Sequence, residues 1–347
     1  MSFTEILSQD TAVQTLRRSL RNEKTAHAYL FAGPPGVGKH LTARALASAL
    51  NCTDQTDDAC GTCNACRKIQ KEVHPDVFEM GLPKGKKSIP VDSVRELEKR
   101  LAVRPHEGRA KVAIIDPADL MTEGAANALL KTLEEPGPNR FLLLITSRQA
   151  HLLPTIRSRC QLIRFNALPN EVVESLLIKR GASRESAAAA AVLSSGSMTR
   201  AVEYLDEGVY DRVTSLLQVL ECLLEQTPLK GLEAIEDLRR SKSGVREEAL
   251  QLIQTAPAVC SEILWLSTHG VDDADSRPLV RVFGDQLLPL AKQLSSRQIA
   301  DFVYAIHHAE QAIMNNNMNP QLALEGALMS LRSPLTKMGA GSGFKRI

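Results

Sequence analysis

Short apolar runs alternate with stretches of helical spacing through the first half of the chain. Five runs, at residues 28–32, 76–80, 112–115, 141–145 and 161–165, have the length and apolar content of buried strands. Between them, residues 41–50, 91–101 and 122–133 carry apolar side chains at the intervals of a helix face. Apolar strands separated by helices are typical of a parallel sheet covered on both faces. The pattern therefore predicts an α/β domain over residues 1–166.

After residue 166 the strand pattern stops and helical spacing continues. Pro169 stands where a helix could begin, because its fixed φ and missing N–H suit the first turn. We predict a small helical domain over residues 167–205 and a leucine-rich helical domain over residues 206–335. Three glycines near the end, at 339, 341 and 343, predict a disordered tail over residues 336–347. The predicted fold class is α/β plus all-α.

A glycine-rich segment directly follows the first apolar run. Its residues are Gly33, Pro34, Pro35, Gly36, Val37, Gly38, Lys39 and His40. In a phosphate-binding loop the glycines free backbone N–H groups to surround phosphate oxygens, and the lysine reaches the β and γ phosphates. Strand, loop and helix follow in the required order. We therefore predict that this segment binds ATP or ADP, the alternative being a glycine-rich turn that arose by chance.

Two positions depart from an active ATPase. The residue after Lys39 is normally a Ser or Thr whose hydroxyl binds Mg²⁺, but here it is His40, and a neutral imidazole is a poor ligand for that hard cation. Asp116 ends a buried run and can position the water shell of Mg²⁺, yet the next residue is Pro117, which cannot orient an attacking water as a Glu does. Asp119 reads as a helix cap or a solvated turn acid. We expect weak or absent hydrolysis and doubtful Mg²⁺ binding.

Four of the seven cysteines fall within one short segment, residues 52–66, inserted in the α/β domain. They are Cys52, Cys60, Cys63 and Cys66, in the pattern C-x7-C-x2-C-x2-C. Overlapping C-x2-C steps turn thiolates toward one centre, and four thiolates make a closed tetrahedral site for zinc. Asp57, Asp58 and their neighbours are too polar for a core. We predict a structural Zn²⁺; a redox pair, core cysteines and an iron–sulfur cluster are the alternatives.

Composition narrows the class of protein further. The 347 residues are enough for two or three domains, and a net charge of +2 does not by itself indicate nucleic-acid binding. With 4% aromatic residues, a base-stacking platform for single strands is not expected. The N-terminal residues show no basic segment followed by an apolar one, and no run approaches the ~20 apolar residues that cross a bilayer. We expect a cytoplasmic protein without a membrane segment.

Several motifs occur together in one order. They are the segments HAYLF at 27–31, the phosphate-binding loop, the four cysteines, NALLKTLEEP at 127–136, PTIRSRC at 154–160 and NPQLALE at 319–325. Jointly they resemble the bacterial clamp-loader branch of the AAA+ ATPases, most clearly over residues 1–205. The resemblance implies an AAA+ core, a helical lid at 167–205, and a helical collar at 206–335 that joins five subunits into a ring.

The resemblance also implies roles for three residues outside the loop. Arg159 matches an arginine finger that reaches the ATP site of a neighbouring subunit, where a planar cation stabilises charge on the γ phosphate. Thr146 matches a polar sensor of that phosphate, and its alternative is a strand-capping hydroxyl. Arg200 matches a lid arginine that contacts nucleotide, and its alternative is a solvated helix charge.

The implied partners are other clamp-loader subunits in a pentameric ring, the sliding clamp, and primer-template DNA held through its phosphates without regard to sequence. Lys84, Lys86 and Lys87 are candidate phosphate contacts or a solvated loop. The leading hypothesis is a clamp-loader subunit that completes a neighbour's ATPase site and hydrolyses little ATP itself. The alternatives are an active clamp-loader ATPase, which His40 and Pro117 disfavour, and a stand-alone zinc-dependent nucleic-acid-binding protein.

Overall fold

A computed structural model describes residues 2–54, 57–206, 208–225, 245–270, 277–316 and 318–331. The predicted tail at 336–347 lies outside these residues. The chain divides into two units, one formed by residues 1–172 with 196–199 and the other by residues 173–195 with 200–347. We describe each unit separately.

The first unit contains a five-stranded sheet and its helices. The strands are β1 (Ala28–Ala32), β2 (Val77–Met80), β3 (Lys111–Ile115), β4 (Arg140–Thr146) and β5 (Gln161–Arg164). The helices are α1 (Asp10–Arg21), α2 (Lys39–Asn51), α3 (Asn64–Gln70), α4 (Val91–Ala102), α5 (Glu123–Glu134) and α6 (Pro154–Arg157). Helix α7 (Asn170–Lys179) starts in this unit and continues into the second.

All neighbouring strands of the sheet run parallel, in the order β2-β3-β4-β1-β5. Strand β1 lies between β4 and β5, with Leu30 opposite Leu144 on one side and Leu162 on the other. Strands β1 and β3 are buried along their whole length because helices cover both faces. The carboxyl ends of β1, β3 and β4 therefore meet at one edge, where ligands bind in open parallel sheets.

Helices α4 and α5 pack together against β3 and β4 through an apolar cluster. Val94, Leu97 and Leu101 recur at helical intervals on α4 and are buried there. Helix α5 begins after Thr122, whose hydroxyl accepts a hydrogen bond from the Ala125 N–H and so satisfies one free donor of the first turn. This packing fixes the positions of β3 and β4, and with them Asp116 and Thr146.

The regular elements among the described residues of the second unit are all helices. Its helices include the later part of α7, α8 (Arg184–Leu193), most of α9 (Met198–Asp206), α10 (Val209–Glu225), and four further helices at Val245–His269, Pro278–Gln293, Ser296–Asn316 and Pro320–Met329. The fold class predicted from the sequence, α/β plus all-α, is confirmed. The contacts join residues 173–195 with the later helices, so the finer division into lid and collar stays a prediction.

One helix of this unit has the length and apolar composition of a membrane span, although the sequence was expected to contain no such segment. Ala249–His269 is long and apolar enough to cross a bilayer, and 56% of its 18-residue apolar window is buried inside the structure. Val259, Ile263 and Leu266 are among its buried residues. Burial against neighbouring helices is the ordinary situation of a core helix, and a core helix satisfies the same test of length and composition.

Candidate nucleotide and metal sites

The predicted phosphate-binding loop leaves β1 and enters α2 through residues that need glycine at three positions, the third being Gly38 with φ +96°. A Cβ on Gly33 would collide with the Phe165 carbonyl, so the loop start fits closely against the chain after β5. Gly36 has φ +68°, and a Cβ there would lie 2.6 Å from the Thr199 nitrogen. The Met198 N–H also donates to the Gly36 carbonyl at 3.0 Å. The segment 196–199 is thus packed directly on the loop.

Lys39 is the first residue of α2 and is almost fully buried. Its ammonium donates to the Gly33 carbonyl oxygen at 2.7 Å and to that of Pro34. Burial lowers the pKa of Lys39, while the carboxylates of Asp116 and Asp119 act to raise it. The structure therefore holds a cation at the N-terminal end of a helix, where backbone N–H groups and the helix dipole also favour an anion.

A cavity of about 500 Å³ opens beside this lysine. Its lining residues come from the loop, from α2, from the ends of β3 and β4, and from the segment 196–199. They are Pro35, Gly36, Gly38, Lys39, His40, Leu41, Arg44, Asp116, Pro117, Ile145, Ser147 and Thr199. The volume lies within the range of small-molecule sites. The structure thus brings together the predicted loop, Asp116 and Pro117 in one pocket.

His40 lies between two carboxylates inside this cavity. Its Nδ1 is 3.0 Å from Asp116 Oδ2, and its Nε2 is 3.2 Å from Glu79 Oε2. The hydrogen bonds with Asp116 and then Glu79 raise the pKa of His40 to about 9, although burial acts to lower it. The same contact with His40 lowers the pKa of Glu79. The imidazole is therefore a cation at neutral pH, which the sequence reading, based on a neutral ring, did not anticipate.

Glu79 and Arg44 extend the charge network around His40, and neither residue was predicted from the sequence. Arg44 Nε forms an ion pair with Glu79 Oε1 at 3.2 Å, and its other nitrogens contact Glu72 Oε1 and the Ile69 carbonyl, both at 2.7 Å. Acidic and basic side chains thus alternate from Asp116 through His40, Glu79 and Arg44 to Glu72. The one signal in the sequence is that Glu79 is the charged residue of an otherwise apolar strand, β2.

Asp119 has a different environment from the one expected. Its side chain is 2% exposed rather than solvated; one carboxylate oxygen accepts from the Thr146 hydroxyl at 2.8 Å and the other from Arg148 Nε at 3.0 Å. It therefore links the end of β4 to the chain after β3 and caps no helix. Thr146 is buried, and its hydroxyl also accepts from the Arg148 N–H at 2.9 Å. The residues on either side of Thr146 line the cavity.

Arg159 lies between α6 and β5 and is not among the residues that line the described cavity. Its Nη2 contacts Glu134 Oε1 at 2.7 Å, and its Nη1 donates to the Thr155 carbonyl at 3.1 Å. Both side chains of the ion pair are solvent-accessible, at 36% for Arg159 and 51% for Glu134. The guanidinium is thus positioned by its own chain while one part of it stays open to solvent.

Arg200 belongs to the second unit, in the first turn of α9. It lines a separate cavity of about 330 Å³ in that unit, together with Glu203, Tyr204 and Glu310. Its predicted contact with nucleotide stays a prediction. The three candidate DNA contacts, Lys84, Lys86 and Lys87, are exposed in the loop after β2.

The four predicted cysteines converge, and their sulfur atoms all lie within 4.8 Å of one another. None of them forms a disulfide. A tetrahedral zinc with Zn–S distances of ~2.3 Å places its sulfurs ~3.8 Å apart, so the donor set and its size fit this metal. Cys52 follows the last turn of α2 and Cys63 precedes the first turn of α3, so the two helix ends orient half of the cluster.

Backbone groups surround the sulfurs. The N–H groups of Thr62 and Cys63 approach Cys60 Sγ at 3.4 and 3.2 Å, and the Cys60 N–H approaches Cys52 Sγ at 3.4 Å. Burial acts to raise the pKa of Cys63, but hydrogen bonds from the backbone of Thr53 and Cys66 outweigh it and lower this pKa to about 6. Such hydrogen bonds favour the thiolate, which is the form that binds metal.

Asp58 anchors the cysteine segment to the first unit. The sequence reading placed it outside any core, but it is 3% exposed. Its carboxylate accepts from the Phe3 N–H at 2.9 Å and the Ala59 N–H at 2.7 Å, and it pairs with Arg17 of α1 at 2.6 Å. A buried acid is tolerated here because every contact is with a donor.

A parallel sheet of order β2-β3-β4-β1-β5, a glycine-rich loop after β1 with the sequence of a phosphate-binding loop, and a helical second unit fit the AAA+ class that the sequence motifs resemble. A family model described as DNA polymerase III, delta subunit, matches residues 8–169. Over 314 residues the chain is 31% identical to DNA polymerase III subunit delta' of Pseudomonas aeruginosa, covering 89% of this chain and 92% of that one. The chain belongs to the DNA polymerase III subunit delta' family, which confirms the resemblance to clamp loaders.

Two further similarities are more partial or more distant. Subunit tau of Bacillus subtilis DNA polymerase III is 33% identical over 219 residues, which are 60% of this chain and 38% of that protein. The crystal structure of a DNA polymerase III gamma subunit-related protein from Thermotoga maritima aligns with 92% of this chain and 98% of that one, at 19% identity and a TM-score of 0.42.

Proposed function

We propose that this chain is a clamp-loader subunit that supplies Arg159 to the ATP site of a neighbouring subunit and hydrolyses little or no ATP itself. Membership of the delta' family supports the clamp-loader assignment. The observation that carries the division of labour is the contrast between Arg159, held in place yet open to solvent, and His40 and Pro117 in the chain's own pocket.

The pairing of Arg159 suits a finger that acts on another chain. An ion pair between two solvent-accessible side chains is worth only about 0–1 kcal/mol, so Glu134 positions the guanidinium without preventing it from leaving for a stronger anion. A nucleotide phosphate offers more charge and a geometry that the planar guanidinium matches. Hydrolysis in the neighbour then depends on assembly of the two subunits.

The partners and cofactors follow from the same assignment. We propose a multi-subunit ring with the other clamp-loader subunits, acting on the sliding clamp and on primer-template DNA in the cytoplasm. Lys84, Lys86 and Lys87 are candidate phosphate contacts, since all three are exposed. The pocket takes ATP or ADP. Cys52, Cys60, Cys63 and Cys66 hold one Zn²⁺, which supplies a structural crosslink and no catalytic chemistry because four thiolates leave no open position.

The test is ATP turnover in the assembled clamp loader with primed DNA and clamp. Arg159→Ala should leave assembly intact and slow hydrolysis at the neighbouring site by as much as ~10³-fold, the lower range for arginine fingers. Arg159→Lys should recover only part of the rate, because an ammonium lacks the planar fork.

Arg164→Ala is the matched control, because Arg164 is an exposed arginine of the following strand. It should retain wild-type turnover. Wild-type turnover by assembled Arg159→Ala would show that Arg159 is an ordinary surface arginine and would overturn the finger assignment.

A further inference from the structure

The residues present do not fit the magnesium ion that this class of pocket normally holds. The helix position that normally supplies a hydroxyl oxygen carries the His40 ring. Magnesium prefers oxygen ligands in a strict octahedral arrangement and gives up its water reluctantly. The carboxylates nearest to that position, Asp116 and Glu79, are both already in contact with the imidazole.

The geometry of His40 identifies the ring as a cation without reference to its titration. Each ring nitrogen lies within 3.2 Å of a carboxylate oxygen. A neutral imidazole has one N–H, so its other nitrogen would present a lone pair to a carboxylate; only the imidazolium has a proton for both. An imidazolium has no lone pair left for a metal. The His40 imidazolium therefore pairs with both carboxylates and cannot itself be a metal ligand.

Arg44 holds in place the Glu79 carboxylate that contacts the His40 cation. Arg44, 10% exposed, pairs with Glu79 and Glu72, so Glu79 lies between two cations and is not free to turn toward a metal. On the other side, the Lys39 ammonium is buried next to the loop carbonyls. The pocket is therefore lined by three positive side chains, those of Lys39, His40 and Arg44, and the first two are consecutive residues of the first turn of α2.

We propose that the His40 imidazolium takes the place of Mg²⁺, so that this pocket binds the di- or triphosphate of a nucleotide without a divalent cation. The loop N–H groups and Lys39 bind the phosphates, while the His40 cation offsets the carboxylates of Asp116 and Glu79, which would otherwise repel phosphate in the absence of a metal ion. The proposal rests on the nucleotide binding included in the proposed function, and it is independent of the role of Arg159. It explains how the loop keeps its phosphate-binding residues while the metal ligand is lost.

The experiment measures ADP binding to the whole chain by calorimetry, with magnesium chloride and in buffer from which divalent ions have been removed by resin. A soluble chelator is avoided because it would strip the cysteine cluster. The wild-type dissociation constant should change by less than about threefold between the two conditions. His40→Thr, which restores the hydroxyl, should bind ADP at least about tenfold more tightly with magnesium than without it.

Two controls separate this effect from others. His151→Thr makes the same substitution at an exposed histidine away from the cavity and should behave as wild type. Lys39→Ala should abolish binding in both conditions. Manganese, used as a paramagnetic probe with ADP, should be bound by His40→Thr and not by the wild type.

Two outcomes would contradict the proposal, and they differ in what else they overturn. Wild-type binding that strengthens about tenfold or more with magnesium would overturn the proposal. A complete lack of ADP binding in both conditions would overturn it together with the assignment of the nucleotide pocket, and would leave the test of Arg159 in the assembled complex unaffected.

Discussion

Helix α2 joins two sites that balance charge in opposite ways. At its N-terminal end the candidate nucleotide pocket carries cations as side chains, Lys39 and His40 among them, and the His40 cation is in contact with two carboxylates. At its C-terminal end Cys52 begins a cluster of four thiols, whose sulfurs are contacted by backbone N–H groups, a threonine hydroxyl and the Asp54 carboxylate. These contacts bring no positive side chain to the sulfurs.

The difference concerns where the positive charge comes from. Four thiolates within 4.8 Å would repel one another unless a cation were placed among them, so the zinc site proposed at the cysteine cluster takes its positive charge from the metal. At the pocket, the cationic side chain of His40 already contacts the carboxylates of Asp116 and Glu79, which could otherwise have bound a metal. A motif that usually accompanies a divalent ion therefore predicts that ion only when the surrounding side chains leave a charge to be balanced.

The largest expected effect is the loss of the metal from the cysteine cluster. Cys63→Ser removes one of four thiolates, so zinc should fall from about one ion per chain toward zero, and unfolding should become easier by at least ~4 kcal/mol. Metal analysis and urea unfolding measure the two quantities. Cys222→Ser, outside the cluster, should retain zinc. Full zinc occupancy with unchanged stability in Cys63→Ser would show that the cluster is not a metal site.

Next in size is the catalytic effect of restoring the residues missing from the pocket. The isolated chain should hydrolyse almost no ATP. The double variant His40→Thr, Pro117→Glu restores a metal ligand and a water-orienting acid, and should gain turnover of about 10²-fold, the low end for such an acid or base. The readout is phosphate release with magnesium.

Adding Lys39→Ala to the double variant should remove the gained turnover. Robust wild-type turnover that Lys39→Ala abolishes would instead identify the chain as an active ATPase and would end the contrast between the two sites.

Local sequence patterns were sufficient to predict the fold class and the individual motifs. The strand β1 coincides with the predicted run 28–32, and α5 begins directly after the predicted Thr122. Strand β3 begins one residue earlier than predicted, at Lys111, because this lysine is buried with its ammonium donating to the Arg100 carbonyl. A lysine in the sequence gives no sign that such a partner exists.

Contacts between distant segments explain what the sequence reading missed. Glu79 reaches His40 because β2 lies beside β3 in the sheet, so that two residues 39 positions apart are in contact. Asp119 meets Thr146 because β3 and β4 are neighbours, a pairing that the sequence does not state. The charge state of His40 depends on both acids together, and no motif contains them.

A smaller effect distinguishes metal binding from docking of the cysteine segment. Asp58→Asn should keep zinc, since Asp58 binds no sulfur, but the amide cannot pair with Arg17 as the buried carboxylate does. We expect a loss of about 2 kcal/mol in urea unfolding, as for hydrogen bonds to charged groups. Asp57→Asn is the matched control: Asp57 pairs with Arg21, which is 70% exposed, and should cost at most ~1 kcal/mol. Equal losses would show that the segment is held by its metal alone.

The smallest expected effect is the pH dependence of the His40 bridge. Contacts with Asp116 and Glu79 raise the pKa of His40 from 6.5 to about 9 in the folded chain. Below pH 6.5 both folded and unfolded chains are protonated there, and the bridge contributes fully to stability. As pH rises toward about 9, the folded chain keeps a proton that the unfolded chain has lost, so this contribution falls and is gone above that pH.

Because the His40 side chain is 43% exposed, solvent screening reduces the contribution to about 1 kcal/mol. Urea unfolding of wild type and His40→Gln, from about pH 6 to about pH 10, measures it. Cysteines and lysines that titrate in this range are common to both proteins and cancel in the difference. The advantage of the wild type should shrink to nearly zero at the alkaline end. An advantage that stays constant across this range would mean that the ring packs in the pocket as a neutral group and that positive charge there must come from elsewhere.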